Sequence, residues 1–415
     1  MGAIASRIRK RKKKHTARRE GKAEYEGQKR DSSSGYDVSG LEKERKCKYP
    51  GYCRSSERHF VRTKIDGIDF YHDSRYTLMR LLGSGAYGQV ASARDCVTGR
   101  KVAVKRVDRL LDDPIDAKRI LREIKILRHL KSHGNIVKLV DIFIEPSEKF
   151  NCLYIVFELM QSDLRKIIQS KNKLEKLHHQ YMTYQLLCGI KYMHSANIWH
   201  RDLKPANLLV NANSKLKICD FGLARGFDER FDDEEVTDYV VTRWYRAPEI
   251  MVCDTYNEKI DVWAVGCILA ELYKRKPVFR GVDSRDQVTK YLRLLGTPKP
   301  EDLAFITNNH AKRFVRSQII RKNIPTSSQL SFIAQDIPED ALDLMTKMLE
   351  FNPEKRISID EALAHPFYNR VRKKKHEIIC EEKFNYSFEQ RLNSENALRR
   401  EFLIEARKFD VQSPI

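Results

Sequence analysis

The sequence predicts an α+β chain of two lobes, the first small and rich in strands, the second larger and mostly helical. Three observations carry this. Strand-type runs cluster between residues 76 and 160. Helix-period patterns dominate from 161 to 368. At 415 residues and 41% hydrophobic composition, the chain is long enough for two lobes plus extensions around a sizeable core.

In the first lobe, the run from Tyr76 to Leu82 is strand-like and leads into glycines. Lys101 to Val107 gives another strand. A helix follows, with Ile120, Leu121, Ile124 and Leu127 near one face. The run Leu153 to Phe157 reads as a buried strand. Beyond residue 161 come the helical patterns Leu186 to Met193, Val262 to Tyr273 and Ala341 to Leu349. The longest apolar stretch, Val262 to Ala270, is half of the roughly 18 residues a membrane span needs, which excludes an integral membrane protein. No internal repeat is present.

Residues 1–75 are polar, lack sustained periodicity and read as a basic, largely disordered extension. Residues 369–415 read as a tail, opening with Arg370, Arg372, Lys373, Lys374 and Lys375. The formal net charge is +21, from 78 Lys/Arg against 57 Asp/Glu. Such a balance by itself suggests a nucleic-acid binder, but the charge is uneven. Residues 1–30 hold twelve Lys/Arg and three Glu, a net of +9, mostly in the run from Arg7 to Lys14. Nine scattered cysteines argue against a disulfide framework and for a reducing cytosolic or nuclear setting. The spacing of Cys47, Cys53 and His59 is wider than zinc pairs use. Residues 1–15 lack a secretory apolar segment.

Four clusters carry chemistry. The stretch Gly83-Ser84-Gly85-Ala86-Tyr87-Gly88-Gln89-Val90 follows the pattern G-x-G-x-x-G-x-V. Its glycines allow a tight turn whose amides approach phosphate oxygens without Cβ clashes. Strand residues follow it, so a β-hairpin is expected rather than the helix of a dinucleotide fold. Lys105 closes Val102-Ala103-Val104-Lys105 and can pair with phosphate, with Glu123 on the next helix to hold it. In His200-Arg201-Asp202-Leu203-Lys204-Pro205-Ala206-Asn207, Asp202 can accept a hydroxyl proton and Lys204 can neutralise phosphoryl charge. Asn207 and the Asp220 of Asp220-Phe221-Gly222 offer the hard oxygens that magnesium prefers.

In this order, closed by Ala247-Pro248-Glu249, the motifs resemble those of eukaryotic protein kinases over residues 76–368. The resemblance implies the bilobal protein kinase fold, with an N-lobe over 76–160 and a C-lobe over 161–368. It implies ATP and Mg2+ as cofactors, bound between the lobes. Leu82, Gly83, Gly85, Gly88, Val90, Ala103, Lys105, Phe157, Glu158, Met160 and Leu209 would line the nucleotide site. Lys105, Glu123, Asp202 and Lys204 would be catalytic, and Asn207 and Asp220 would hold the metal.

Lys204, two residues after Asp202, is similar to Ser/Thr kinases. The run from Val240 to Glu249 is similar to that of mitogen-activated protein kinases, as is the insert at 284–322 with Leu292-Arg293-Leu294-Leu295-Gly296-Thr297-Pro298. In that family an arginine at Arg246 goes with protein substrates bearing Ser/Thr-Pro sites. Thr237-Asp238-Tyr239 matches the T-x-Y dual-phosphorylation site, implying an upstream dual-specificity kinase and opposing protein phosphatases as partners. Phosphate on Thr237 brings about −1.5 to −2 charge, for which Arg201, Arg119, Arg122 and Arg225 are candidate receivers. Arg243 and Arg246 would receive phosphate on Tyr239. Arg356 is expected to pair with Glu249 and do no chemistry.

Two departures from the family stand out. Phe157 takes a position at the back of the pocket where Gln, Thr or Met is more usual, and its ring is expected to close the rear, as in cyclin-dependent kinases. After His365-Pro366, the family's acidic docking patch is replaced by Phe367-Tyr368-Asn369-Arg370-Val371-Arg372-Lys373-Lys374-Lys375. This implies weak docking of basic motifs, or the use of Glu381 and Glu382 instead.

The start, Met1-Gly2-Ala3-Ile4-Ala5-Ser6, fits the myristoylation pattern, with Gly2 as acceptor. One acyl chain binds membranes marginally, at about 10⁴ M⁻¹, and the basic run could add about 1 kcal/mol per charge on an anionic surface. The same run also reads as a nuclear localisation signal or a solvated arm. The expected localisation is cytoplasmic, with peripheral membrane attachment or the nucleus as alternatives and no obligate nucleic-acid partner. A cyclin-dependent-type kinase is the enzyme alternative, but Asp116 to Glu123 lacks its cyclin-binding helix sequence. A catalytically dead scaffold is disfavoured by the intact Lys105, Asp202, Asn207 and Asp220.

Overall fold

A β-hairpin opens the described chain. The computed structural model describes residues 58–85, 88–147, 149–226 and 242–410. Gly2, Thr237 and Tyr239 lie outside them, as does most of the basic arm. Strands β1 (Phe60–Ile65) and β2 (Ile68–Asp73) pair antiparallel within the stretch expected to be largely disordered. The first lobe therefore begins before Tyr76. The cause is local and tertiary. Asp66 and Gly67 both take positive φ, 49° and 83°, as a two-residue hairpin turn requires. Ile65 and Phe70 join an apolar cluster with Tyr76, Val104, Phe143 and Tyr154. Arg58 then spans Asp73 (2.9 Å) and Asp141 (2.9 Å), which also accepts from Tyr76 Oη (2.7 Å).

A five-stranded antiparallel sheet follows: β3 (Tyr76–Gly85), β4 (Gly88–Asp95), β5 (Lys101–Asp108), β6 (Leu139–Ile144) and β7 (Cys152–Glu158), in the order β3-β4-β5-β7-β6. Between β5 and β6 runs helix α1 (Pro114–His129). Asp113 caps it, accepting from the Ile115 amide at 2.8 Å, and proline sits in its first turn. Ile120, Leu121, Ile124 and Leu127 are all buried, as their spacing predicts. Each contributes about 1.5–3 kcal/mol. The helix's buried face also carries Arg122 and Glu123.

The second lobe is helical. Strand β8 (Ser162–Asp163) and helix α2 (Leu164–Gln169) lead to α3 (Lys176–Ser195). The stretch from His200 to Asn207 and strands β9 (Leu208–Val210) and β10 (Leu216–Ile218) come next. Beyond residue 242 lie α4 (Pro248–Val252), α5 (Lys259–Lys274), α6 (Ser284–Leu295), α7 (Asn309–Arg321), α8 (Glu339–Met348) and α9 (Ile359–Leu363). The apolar run Val262 to Ala270 is the middle of α5, buried throughout. Among the described residues, no helix is long and apolar enough to cross a membrane. Helices α6 and α7 fall in the 284–322 insert.

The tail is structured as well. It returns along the second lobe, where Cys380 N donates to Ser195 Oγ and Phe384 N to Ala196 O, both at 2.8 Å. It ends in helix α10 (Glu395–Asp410) against α1, where Lys125 meets Glu401 (2.9 Å) and Glu405 (2.6 Å).

Arg356 makes a bidentate pair with Glu249 at 2.6 and 2.9 Å, and both side chains are buried. This fixes α4 to the loop after α8. Arg356→Ala strands the Glu249 carboxylate without its cation, and such a loss costs about 3–5 kcal/mol. The expected outcome is a marked fall in the urea unfolding midpoint with an unchanged slope.

Candidate active site

A cleft of about 800 Å3 lies between the sheet and the helical lobe. Leu82, Gly85, Gly88, Val90, Ala103, Lys105, Glu123, Phe157, Glu158, Met160, Asp202, Lys204, Asn207, Leu209 and Asp220 all line it. Of the residues expected there, Gly83 alone does not. The wall also includes Leu81, Ile120, Val137 and Cys219, none of which the sequence analysis assigned to it.

Gly85 and Gly88, at the facing ends of β3 and β4, line the cleft. Gly88 has φ +136°, and a Cβ there would sit 1.9 Å from the Arg106 carbonyl oxygen. Only glycine lets β4 pass so close to β5. Phe157 lies on β7 opposite Ala103 of β5 and lines the cleft, half-buried. The Glu158 carboxylate is taken by Lys217 (2.7 Å) and the Lys138 amide (2.7 Å), so that side chain is engaged within the protein.

Lys105 Nζ sits 3.0 Å from Glu123 Oε2. The ammonium is held above its ordinary value: burial opposes the charge, but Glu123 and then Asp220 outweigh it. Asp220 itself has φ +67°, a strained conformation for a residue with a Cβ. Phe221 is buried behind it against the His200 ring, with centroids 5.2 Å apart.

The stretch from His200 to Asn207 follows α3. Lys204 Nζ donates to Asp202 Oδ2 at 2.6 Å, and Asn207 Nδ2 donates to Asp202 O (3.0 Å) and Oδ2 (3.2 Å). Burial pushes the Asp202 carboxyl above its usual value. Lys204 opposes this, while Asp220 adds to it. His200 Nδ1 accepts from the Asp202 amide (3.3 Å), so its proton is on Nε2, which donates to Cys219 O (3.1 Å).

Asp261, buried in the first turn of α5, holds this stretch from below. It accepts the amides of His200 (2.8 Å) and Arg201 (3.0 Å) and the His194 Nε2 proton (2.9 Å). These bonds fix Arg201 at φ +67°. The sequence analysis missed Asp261. Its signal was a carboxylate at the edge of the longest apolar run, where a buried charge needs several donors.

The donor set fits magnesium. Asn207 spends its amide nitrogen on Asp202, leaving the amide oxygen for a cation. Among the described residues no hydrogen bond to the Asp220 carboxylate is present. No cluster of three His, Cys, Asp or Glu suited to a metal occurs among the described residues, and magnesium needs only one or two protein oxygens beside phosphate and water.

The candidate phosphate-receiving arginines divide. Arg122 Nη1 donates to Gly222 O (2.6 Å), Arg201 Nη1 to Leu223 O (3.2 Å) and Arg225 Nη1 to Ala224 O (3.0 Å). Three successive carbonyls after Asp220-Phe221 are thus each held by an arginine. Arg201 is depressed below the usual arginine value by burial, with Arg122 and Arg246 adding to the effect. Burial raises the Tyr256 phenol, and Arg201, Arg225 and Arg246 oppose this. The Arg201 guanidinium lies 5.6 Å over that ring. Arg119 instead pairs with Asp116 (3.2 Å), and Arg243 Nη1 donates to Val282 O (2.9 Å).

A glycine-lined cleft, a lysine–glutamate pair joining sheet to helix, and an aspartate flanked by lysine and asparagine define a protein kinase. Residues 76–368 match the protein kinase domain family. A mitogen-activated protein kinase homolog of Nicotiana tabacum is 45% identical over 359 residues, covering 85% of this chain and 94% of that protein. Mitogen-activated protein kinase 4a of Physcomitrium patens is 46% identical, covering 82% and 90%. Mitogen-activated protein kinase spm1 of Cytospora mali is 48% identical, covering 79% and 78%. The chain belongs to the mitogen-activated protein kinase family and is an ATP-dependent Ser/Thr kinase of signal transduction.

Gly88→Ala is expected to raise KM for ATP by about tenfold, or ~1.4 kcal/mol, with kcat less affected, as steady-state kinetics would show. Lys204 is what holds the Asp202 carboxyl down, so Lys204→Met should move the acid limb of the kcat/KM profile to higher pH. An unmoved limb would exclude Asp202 as the group that titrates there.

Proposed function

We propose that the enzyme is proline-directed and is switched on by dual phosphorylation of Thr237 and Tyr239. The observation that carries the catalytic reading is the convergence of Lys105, Glu123, Asp202, Lys204, Asn207 and Asp220 on one cleft. In this reading the substrate hydroxyl oxygen attacks the γ-phosphorus of ATP and the bond to the β–γ bridging oxygen breaks, releasing ADP. The hydroxyl proton passes to Asp202. Lys105, held by Glu123, fixes the phosphates, and Lys204 offsets charge on the transferring group. Asn207 and Asp220 would hold Mg2+, which supplies charge neutralisation at the phosphates when bound.

Arg246 supports the Ser/Thr-Pro preference by its likeness to the family pattern. The grouping of Arg201, Arg225 and Arg246 supports a phosphate receiver close to the catalytic stretch. Upstream dual-specificity kinases and opposing phosphatases are the partners this reading requires. Gly2 with the basic run 7–14 supports attachment to an anionic membrane surface, a peripheral addition to a cytoplasmic enzyme.

Turnover on a Ser-Pro peptide should vanish in Asp202→Ala. It should also fall by about 1,000-fold in Thr237→Ala, the lower end of the 10³–10⁵ range that charge-stabilising elements command in phosphoryl transfer. A wild-type protein proven phosphorylated on both residues yet no more active than the unmodified form would defeat the switching proposal. Intact mass of the cellular protein should show a myristoyl group on Gly2.

A further inference from the structure

We propose that Glu389 is a positioning residue for phosphoryl transfer: its carboxylate, delivered by the chain's own tail, holds Arg122, and through it both Glu123 and the backbone after Asp220. Glu389 Oε1 and Oε2 accept from Arg122 Nε and Nη2 at 2.5 and 2.7 Å. Arg122 has no solvent exposure. Its third nitrogen, Nη1, donates to Gly222 O at 2.6 Å. Arg122 is therefore one residue from the carboxylate that fixes Lys105 and bonded two residues beyond Asp220, a proposed metal ligand. A movement of this guanidinium moves both.

The tail that supplies Glu389 is itself pinned. Ser387–Arg391 form a 3-10 turn, with Phe388 buried beneath Lys125 Nζ at 5.0 Å from the ring centroid. Tyr386, nearly buried, packs against Gly226, where a Cβ would lie 2.8 Å from its ring. Lys125, three residues after Arg122 on α1, is engaged by Glu401 and Glu405 of α10. The contact thus has an enforced geometry. A bidentate carboxylate also gives a guanidinium what a phosphate would give it.

A second consequence rests on the proposed phosphorylation of Thr237. Glu389 and Gly222 together engage all three guanidinium nitrogens of Arg122. A phosphate on Thr237 gains a bidentate hold on Arg122 Nε and Nη2 only if Glu389 yields. With Glu389 neutralised, its charge no longer competes with the phosphate for Arg122.

The test compares full-length wild type and Glu389→Gln, each dephosphorylated and then phosphorylated on Thr237 and Tyr239. The readouts are kcat and KM on a Ser-Pro peptide and thermal unfolding. The expected result is an unphosphorylated kcat at least about tenfold lower in E389Q, with peptide KM unchanged and the protein folded at the assay temperature. Phosphorylation should then activate E389Q by a larger factor than wild type. A clamp that merely secures the tail would lower the unfolding temperature and leave kcat of the folded enzyme within about twofold, which would overturn the proposal. Should E389Q not fold, the double variant R122Q/E389Q, with no charge left buried, takes its place. A low kcat supports the proposal and a wild-type kcat refutes it. If phosphorylation fails to activate wild type, the switching proposal falls, yet the unphosphorylated comparison still decides the role of Glu389.

Discussion

One ion pair, Lys105 with Glu123, sets the relation between the sheet and the helix that crosses behind it. Lys105 is on β5, the central strand, and Glu123 is in the middle of α1. Neither would be tolerated alone in so buried a place, because an unpaired charge there costs several kcal/mol. The pair therefore exists only when α1 is seated against the sheet. Everything that seats α1 therefore bears on that pair. The apolar stripe from Ile120 to Leu127 does so by burial, and the tail does so by charge.

A similar logic governs the floor of the cleft. Arg201 and Asp220 both adopt left-handed backbone conformations, which local sequence does not favour. Asp261 fixes the first through two amide bonds, and three arginine–carbonyl bonds hold the segment after the second. Strain at these positions is offset by a buried carboxylate on α5 and by cations converging from α1, the catalytic stretch and the segment itself.

Much of this was legible in the sequence where chemistry is carried by short, ordered motifs. The glycine turn, Lys105, Asp202, Asn207 and Asp220 were readable because each depends on local spacing, and α1 because its apolar period is regular. Asp261 and Glu389 were not readable. Their roles arise from partners about 60 and 267 residues away, which no local pattern encodes. The β1–β2 hairpin fell between these cases. Its Asp66-Gly67 turn was a visible signal, but the polar composition of residues 1–75 concealed it. The +21 charge, too, separates into parts. Some of its arginines are structural cations deep in the core, Arg122 and Arg356 above all, and bear on no nucleic acid.

The contact between Arg122 and Glu389 closes a loop of 267 residues, and α10 reaches α1 over a still longer one. During synthesis, the first lobe and the helical lobe emerge well before the residues that complete the seat of α1. At about 5–20 residues per second, the last thirty residues appear seconds after the cleft has been translated. The order of translation therefore separates the residues that line the cleft from the tail residue that contacts Arg122. A chain cut before Glu389 would hold Lys105, Asp202, Asn207 and Asp220 without that contact.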